Sequence, residues 1–167
     1  EIKKNYHGLR LRRKYESLYA APSKILIKMS STPGKINCIK AFVDETGYYF
    51  SHSFLIMVSD DERISNYVLC SLINSKIINA YVRRECVKRT LPTGVVRSIP
   101  VPEFEDIQIR EIERCYSEIK EAYAMEDASK AEEIQNRIDN IIFEAFGLKQ
   151  DEKEEINRYF EVYEGKG

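Results

Sequence analysis

The segment Ile99-Pro100-Val101-Pro102 divides the chain into two parts that cannot share one kind of secondary structure. Proline removes a backbone donor and pushes the residue before it out of the helical region, so two prolines one residue apart force an extended stretch. Upstream of it the strand candidates before residue 59 alternate with a period of two and two short helices follow, whereas downstream apolar residues recur throughout every three or four residues, the helical period. The charges divide at the same place. Residues 1–100 carry 17 basic and 8 acidic side chains, net +9, and residues 101–167 carry 9 basic and 19 acidic, net −10, a split hidden in the formal charge of −1. With 167 residues, 43% of them hydrophobic, the chain suits one compact domain plus a helical appendage better than two full domains. An α+β fold is expected: a small antiparallel or mixed β-rich domain with two short helices over residues 1–104, then an α-helical hairpin and a short third helix over 105–167.

Within the first part, residues 1–23 read as irregular or as a short strand. Lys24 to Ser30 places Ile25, Ile27 and Met29 on one period-2 face, a strand. The runs Ile36–Val43 and Tyr48–Val58 are joined by Asp44-Glu45-Thr46-Gly47, which predicts a β-hairpin. Ser59, Asp60 and Asp61 are N-cap candidates for a helix over 62–73, and Ser75 for a second helix carrying Ile77, Ile78, Tyr81 and Val82. Val95–Ile99 reads as a short strand. In the second part Ile107, Ile112, Ile119 and Tyr123 form one stripe and Ile134, Ile138 and Ile142 another, with the break near Glu126-Asp127. These stripes predict two paired helices. Gly147 is placed to end the second, and Asp151 with Glu154 to cap a third carrying Tyr159 and Phe160, expected to cover one end of the hairpin.

Several chemistries are disfavoured by residue type. The longest unbroken apolar run is Phe54–Val58, far short of the roughly 20 residues of a spanning helix. Four cysteines (Cys38, Cys70, Cys86, Cys115) lack paired short spacing and read as reduced, mostly buried residues, which places the protein in the cytoplasm. The first residue is Glu, and the charged opening predicts a piece of a longer polypeptide. There is no glycine-rich dinucleotide or phosphate motif, and the two histidines, His7 and His52, have no ligands at metal spacing, so no catalytic residue, cofactor site or metal site is expected here. Glu118-Ile119-Lys120 with Asp106 upstream has the form of a nuclease metal site, but it lies on a helical pattern in a densely charged segment.

The basic half carries the stronger signal. Lysines and arginines flank turns that also hold hydroxyls, the groups that contact phosphates and base edges. Ten residues are therefore expected to bind DNA: Arg12, Arg13, Lys28, Ser31 and Lys35 around the first strands, and Arg83, Arg84, Lys88, Arg89 and Thr90 around the end of the second helix. Lys24 belongs to the same basic run. The competing reading is a helical interaction or dimerisation module over 105–163 with an incidental basic surface.

The order of these segments resembles a known family. Tyr15-Glu16-Ser17-Leu18-Tyr19, Pro22-Ser23-Lys24-Ile25, the Gly47-Tyr48-Tyr49 run, the block Leu72-Ile73-Asn74-Ser75-Lys76-Ile77-Ile78-Asn79 and the Ile-Pro-Val-Pro exit are similar to the TaqI-like C-terminal specificity domain over roughly 12–104. That family supplies target recognition in N6-adenine DNA methyltransferases and in fused restriction-modification enzymes. The resemblance implies sequence-specific recognition of double-stranded DNA beside a methyltransferase domain, which would bind S-adenosylmethionine and act on the adenine. No Asn-Pro-Pro sequence surrounds any of the five prolines, so that catalytic motif is not in this chain. In the block itself, Asn74 and Ser75 are expected to break and cap helices rather than touch DNA.

Overall fold

A computed structural model describes residues 16–30, 39–47, 53–85 and 91–163. Its elements are α1 (Glu16–Ala20), β1 (Lys24–Lys28), β2 (Ala41–Asp44), β3 (Phe54–Met57), α2 (Asn66–Asn74), α3 (Lys76–Glu85), α4 (Thr93–Arg97), α5 (Asp106–Ala124), α6 (Ala128–Ala145) and α7 (Gln150–Tyr163). The fold is α+β, as the change of periodicity predicts, with a small sheet followed by a helical region.

The sheet is not built on the expected hairpin. Its order is β2-β1-β3, and β1 is antiparallel to both neighbours. The Asp44–Gly47 turn therefore leads away from β2 instead of joining two paired strands. β1 wins the central place because Ile25, Leu26 and Ile27 are all fully buried, and the middle of a sheet is where a strand is covered on both faces. Ile25 and Ile27 join the main core, together with Val68 and Leu72 of α2.

β2 is an edge strand whose outward backbone groups are capped by side chains. The Ile39 N–H donates to Asn79 Oδ1 at 3.1 Å, Ala41 N–H to Asn74 Oδ1 at 2.9 Å, and Val43 N–H to the Tyr116 hydroxyl at 3.0 Å. Asn74 Nδ2 returns a bond to the Ala41 carbonyl at 2.8 Å. An uncovered edge invites pairing with another chain, and these three residues close it. Between the two asparagines, Ser75 ends α2 and begins α3: its hydroxyl donates to the Leu72 carbonyl at 2.6 Å and accepts from Ile78 N–H at 3.4 Å. The Asn-Ser-Lys block is thus structural, with one role that local sequence does not suggest, the clamping of a strand more than 30 residues upstream.

Some local expectations fail for local reasons. α2 starts at Asn66 under a Ser65 N-cap, not near residue 62, because Asp61 uses its carboxylate on the Arg63 N–H in a tight turn. Part of the irregular leader forms the single-turn α1, and Val95–Ile99, read as a strand, is instead mostly α4, with Val95 and Val96 packed against the core. Five residues are too few for either period to show.

Beyond the prolines, α5 and α6 pair closely, and Ile112, Ile119, Ile134, Ile138 and Ile142 are buried between them and α2. Ile107 and Tyr123 depart from the predicted stripe, being 63% and 67% exposed. Ile107 is five residues before Ile112, about 140° round the helix, and the core face of that turn is taken by Ile109, while in the last turn of α5 Ala122 is the buried residue. Gly147 ends α6 as expected with φ +68°, its N–H bonding the Glu144 carbonyl and that of Leu148 the Phe143 carbonyl, the left-handed cap that glycine adopts without strain. Capping of α7 comes earlier than Asp151: the Lys149 N–H donates to Glu152 at 2.8 Å. α7 packs on α3, burying Phe160, and Lys76 Nζ bridges Asn136 of α6 and Asn157 of α7 at 2.9 and 3.0 Å. One continuous core joins residues on both sides of Pro102.

Asp139 of α6 caps α3 across this junction, accepting the Lys76 N–H at 2.8 Å while 2% exposed. Burial raises its carboxyl to about 6, outweighing the Lys76 N–H, the Lys76 charge and the nearby Gln135 amide. The folded state therefore holds this proton more tightly than the unfolded chain, so stability falls as pH rises from about 4 to about 6. Asp139→Asn keeps an acceptor for the Lys76 N–H and is expected to remove that component of the slope. Urea titrations of both proteins between pH 4 and 7 check this, and an unchanged slope would mean that Asp139 is hydrated.

Candidate functional site

Because β1 runs antiparallel to both neighbours, the end of β1 meets the beginnings of β2 and β3. Alternation places Lys24, Leu26 and Lys28 on one face of β1 and Ile25 and Ile27 on the core face. Lys40 and Phe42 share the Lys28 face. Lys28 and Lys40 are both exposed and lie opposite one another, the Lys28 N–H donating to the Lys40 carbonyl at 2.9 Å. Beside them Phe42 and Phe54 meet edge to face, with ring centres 6.0 Å apart.

The second basic group is led toward this same end of the sheet. α3 carries Arg83 and Arg84 in its last turn, and Leu91, the first described residue after it, is buried with its N–H on the Met29 carbonyl at 2.8 Å. The Met29 N–H in turn donates to the Ser53 carbonyl at 3.0 Å. The chain after α3 thus returns to the residue adjoining Lys28. Arg84 is 87% exposed, with Glu85 4.0 Å away. Cations at the C-terminal end of a helix also suit its dipole, so their position alone is not evidence of a ligand.

Of the ten residues expected to bind DNA, Lys28, Arg83 and Arg84 are described. Arg12, Arg13, Ser31, Lys35, Lys88, Arg89 and Thr90 lie outside the described residues, as do His7, His52, Cys38 and Cys86. Lys40, opposite Lys28, is not among those ten. Its signal was the alternation of Ile39, Ala41 and Val43, which turns Lys40 and Phe42 outward.

Lys24 leaves the basic set altogether. It is fully buried, with its ammonium 3.0 Å from Asp44 Oδ2 and 3.2 Å from the Tyr19 carbonyl. Burial pushes the Asp44 carboxyl up, but hydrogen bonds from Thr46 and Lys24 together hold it below the usual carboxylate value. The opposite end of the sheet is therefore neutralised internally and tied to α5, since Lys120 donates to Glu45 at 3.1 Å and Tyr116 reaches Val43. Four residues of strand, roughly 14 Å, separate Lys28 from that end.

The nuclease-like triplet is dispersed. Glu118 accepts from Arg137 at 2.9 Å and from Arg114 at 3.1 Å, whereas Lys120 turns to Glu45. Asp106 stands 12 residues before Glu118 on the same helix, roughly 18 Å along its axis. Among the described residues no group of three His, Cys, Asp or Glu side chains could hold a metal ion, and no helix is long and apolar enough to cross a membrane. Cys70 and Cys115 are buried free thiols, and burial pushes Cys70 up to about 12, which keeps it protonated and unreactive at neutral pH.

The model of the TaqI-like C-terminal specificity domain matches residues 1–99. Neither the curated proteins nor the solved structures contain a match to the chain. With more than half of its length matched, and its Leu72–Asn79 block folded as the clamp of a three-stranded sheet, the protein belongs to the family of TaqI-like C-terminal specificity domains, target-recognition modules of restriction-modification systems.

Proposed function

We propose that residues 1–104 read double-stranded DNA for an N6-adenine DNA methyltransferase, alone or fused to an endonuclease, and that residues 105–167 hold the reading surface in place. The observation that carries this reading is the meeting of Lys28, Lys40 and the chain that follows Arg83 and Arg84 at one end of the sheet. Cations gathered there neutralise phosphates, while base edges are read by whichever side chains reach the groove. The acidic hairpin is fixed by Lys120 and Tyr116 at the other end, where its carboxylates repel phosphate least. Methyl transfer and S-adenosylmethionine belong, on this reading, to a separate methyltransferase domain that shares the DNA with this one inside the cell.

Fluorescence anisotropy with a labelled duplex tests the proposal. Replacing Lys28, Lys40 and Arg84 together with alanine is expected to weaken binding to every duplex and to flatten the dependence of log K on log salt by about 0.9 per lost phosphate contact. All three side chains are exposed, so thermal stability should stay within about 0.5 kcal/mol per substitution. Unchanged affinity and slope would assign these cations to ordinary solvation of a sheet edge and a helix end.

A further inference from the structure

The outer face of the sheet carries aromatic rings among the cations of the proposed duplex surface. Opposite Leu26 stand Phe42 on β2 and Ile56 on β3, and opposite Lys28 stand Lys40 and Phe54. Directly opposed residues of paired strands share a face, so these side chains form two adjacent rows across the sheet. Leu26 is fully buried but takes no part in the main core, which lies on the other face with Ile25 and Ile27. The rings of Phe42 and Phe54 come from the two strands that flank β1 and meet with centres 6.0 Å apart and planes at 87°, leaning together across it. Covering Leu26 is the structural part of their role. It still leaves Phe42 46% exposed, the one large hydrophobic residue of the sheet that is exposed among the described residues.

An apolar ring beside two exposed lysines suits a partner that places anions next to an apolar group. A DNA duplex meets both conditions in its major groove, where phosphates line the rims and the apolar group that base edges present is the C5-methyl of thymine. The minor groove presents only donors and acceptors. Against any other base edge the Phe42 ring would take polar atoms out of water without bonding them. Insertion between base pairs is the other way in which an aromatic side chain meets a duplex. That needs a ring standing clear of its neighbours, whereas Phe42 rests against Phe54 with more than half of its surface covered.

We infer that Phe42, buttressed by Phe54 and flanked by Lys28 and Lys40, packs on the C5-methyl group of a thymine in the major groove and so biases recognition toward thymine at one position of the target. The inference rests on the duplex reading proposed above, and it adds a residue that distinguishes bases where the lysines hold phosphates.

Fluorescence anisotropy of the full chain with a labelled duplex built only of A·T pairs, and with the same duplex carrying uracil in place of every thymine, tests this contact. Such a duplex presents a methyl group in every register, whatever the target sequence. The thymine duplex is expected to bind about fourfold more tightly, the worth of one buried methyl group. Phe42→Gln should bring the two affinities together, while Phe42→Leu, smaller but still apolar, should keep part of the preference. Lys28→Ala should weaken both duplexes alike and leave their ratio unchanged. Equal binding of the two duplexes by the unaltered chain would overturn the inference without need of any variant. So would a preference that survives in Phe42→Gln: with affinity unchanged it belongs to the shape of the DNA, and with affinity lowered on both duplexes the ring is a wedge between base pairs. Binding to neither duplex would overturn the duplex reading together with this inference, whereas binding without a methyl preference overturns this inference alone.

Discussion

Asp44→Ala is expected to destabilise the protein by about 3–5 kcal/mol, because it leaves the fully buried Lys24 ammonium without its counter-charge. The remaining partner, the Tyr19 carbonyl, is neutral and cannot replace a carboxylate 3.0 Å away. Replacing both members with apolar residues, Lys24→Met with Asp44→Leu, should restore most of that loss, since a buried ion pair returns little beyond its own desolvation. Urea unfolding at pH 7 measures all three proteins. Acid should act in the same direction as the alanine. The folded pKa of Asp44 lies below its ordinary value, so the contribution is present at neutral pH and is lost as pH falls through that lowered value. A cost below about 1 kcal/mol for Asp44→Ala would mean that Lys24 reaches water.

The second large effect belongs to Asn79. Its side chain accepts the Ile39 N–H at 3.1 Å and donates to the carbonyls of Asn74 and Ser75 at 3.2 and 3.1 Å, all while 1% exposed. Asn79→Ala strands these groups out of reach of water, and a loss of about 2–4 kcal/mol is expected. Asn79→Asp should be worse despite its similar shape, because it keeps the acceptor, loses both donations and adds a buried charge. The informative comparison is stability against duplex affinity per folded molecule. A destabilised protein whose folded fraction still binds DNA normally confirms Asn79 as the clamp of β2, whereas lost affinity at full stability would make it a reading residue.

Much of the helical half could be read from the chain. The stripes through Ile112 and Ile119 and through Ile134, Ile138 and Ile142, the break at Glu126 and the Gly147 cap are all properties of neighbours within a turn or two, where period and capping chemistry act. The end positions of the stripe were the exception. Ile107 stands five residues before Ile112, about 140° round the helix, so it stays exposed while Ile109, three residues before Ile112, packs on the core.

The candidate site was less accessible to such reasoning. Lys24 and Lys28 occupy equivalent positions in the alternation of β1, and nothing local distinguishes them. One is buried against Asp44 and the other exposed beside Lys40. Asp44 in turn looked like the first residue of a hairpin turn, and Asn74 looked like helix punctuation.

The sequence by itself determined the α+β class, the helical hairpin and the family to which the chain belongs, because each rests on residue type and short-range spacing. Only the tertiary structure decided that β1 lies between β2 and β3, that Lys24 is neutralised while Lys28 and Lys40 face outward together, and that Asn74, Asn79 and Tyr116 close the open edge. The physical reason is that strand order and the burial of a charge are set by partners tens of residues away, and their free energy appears only when those partners meet.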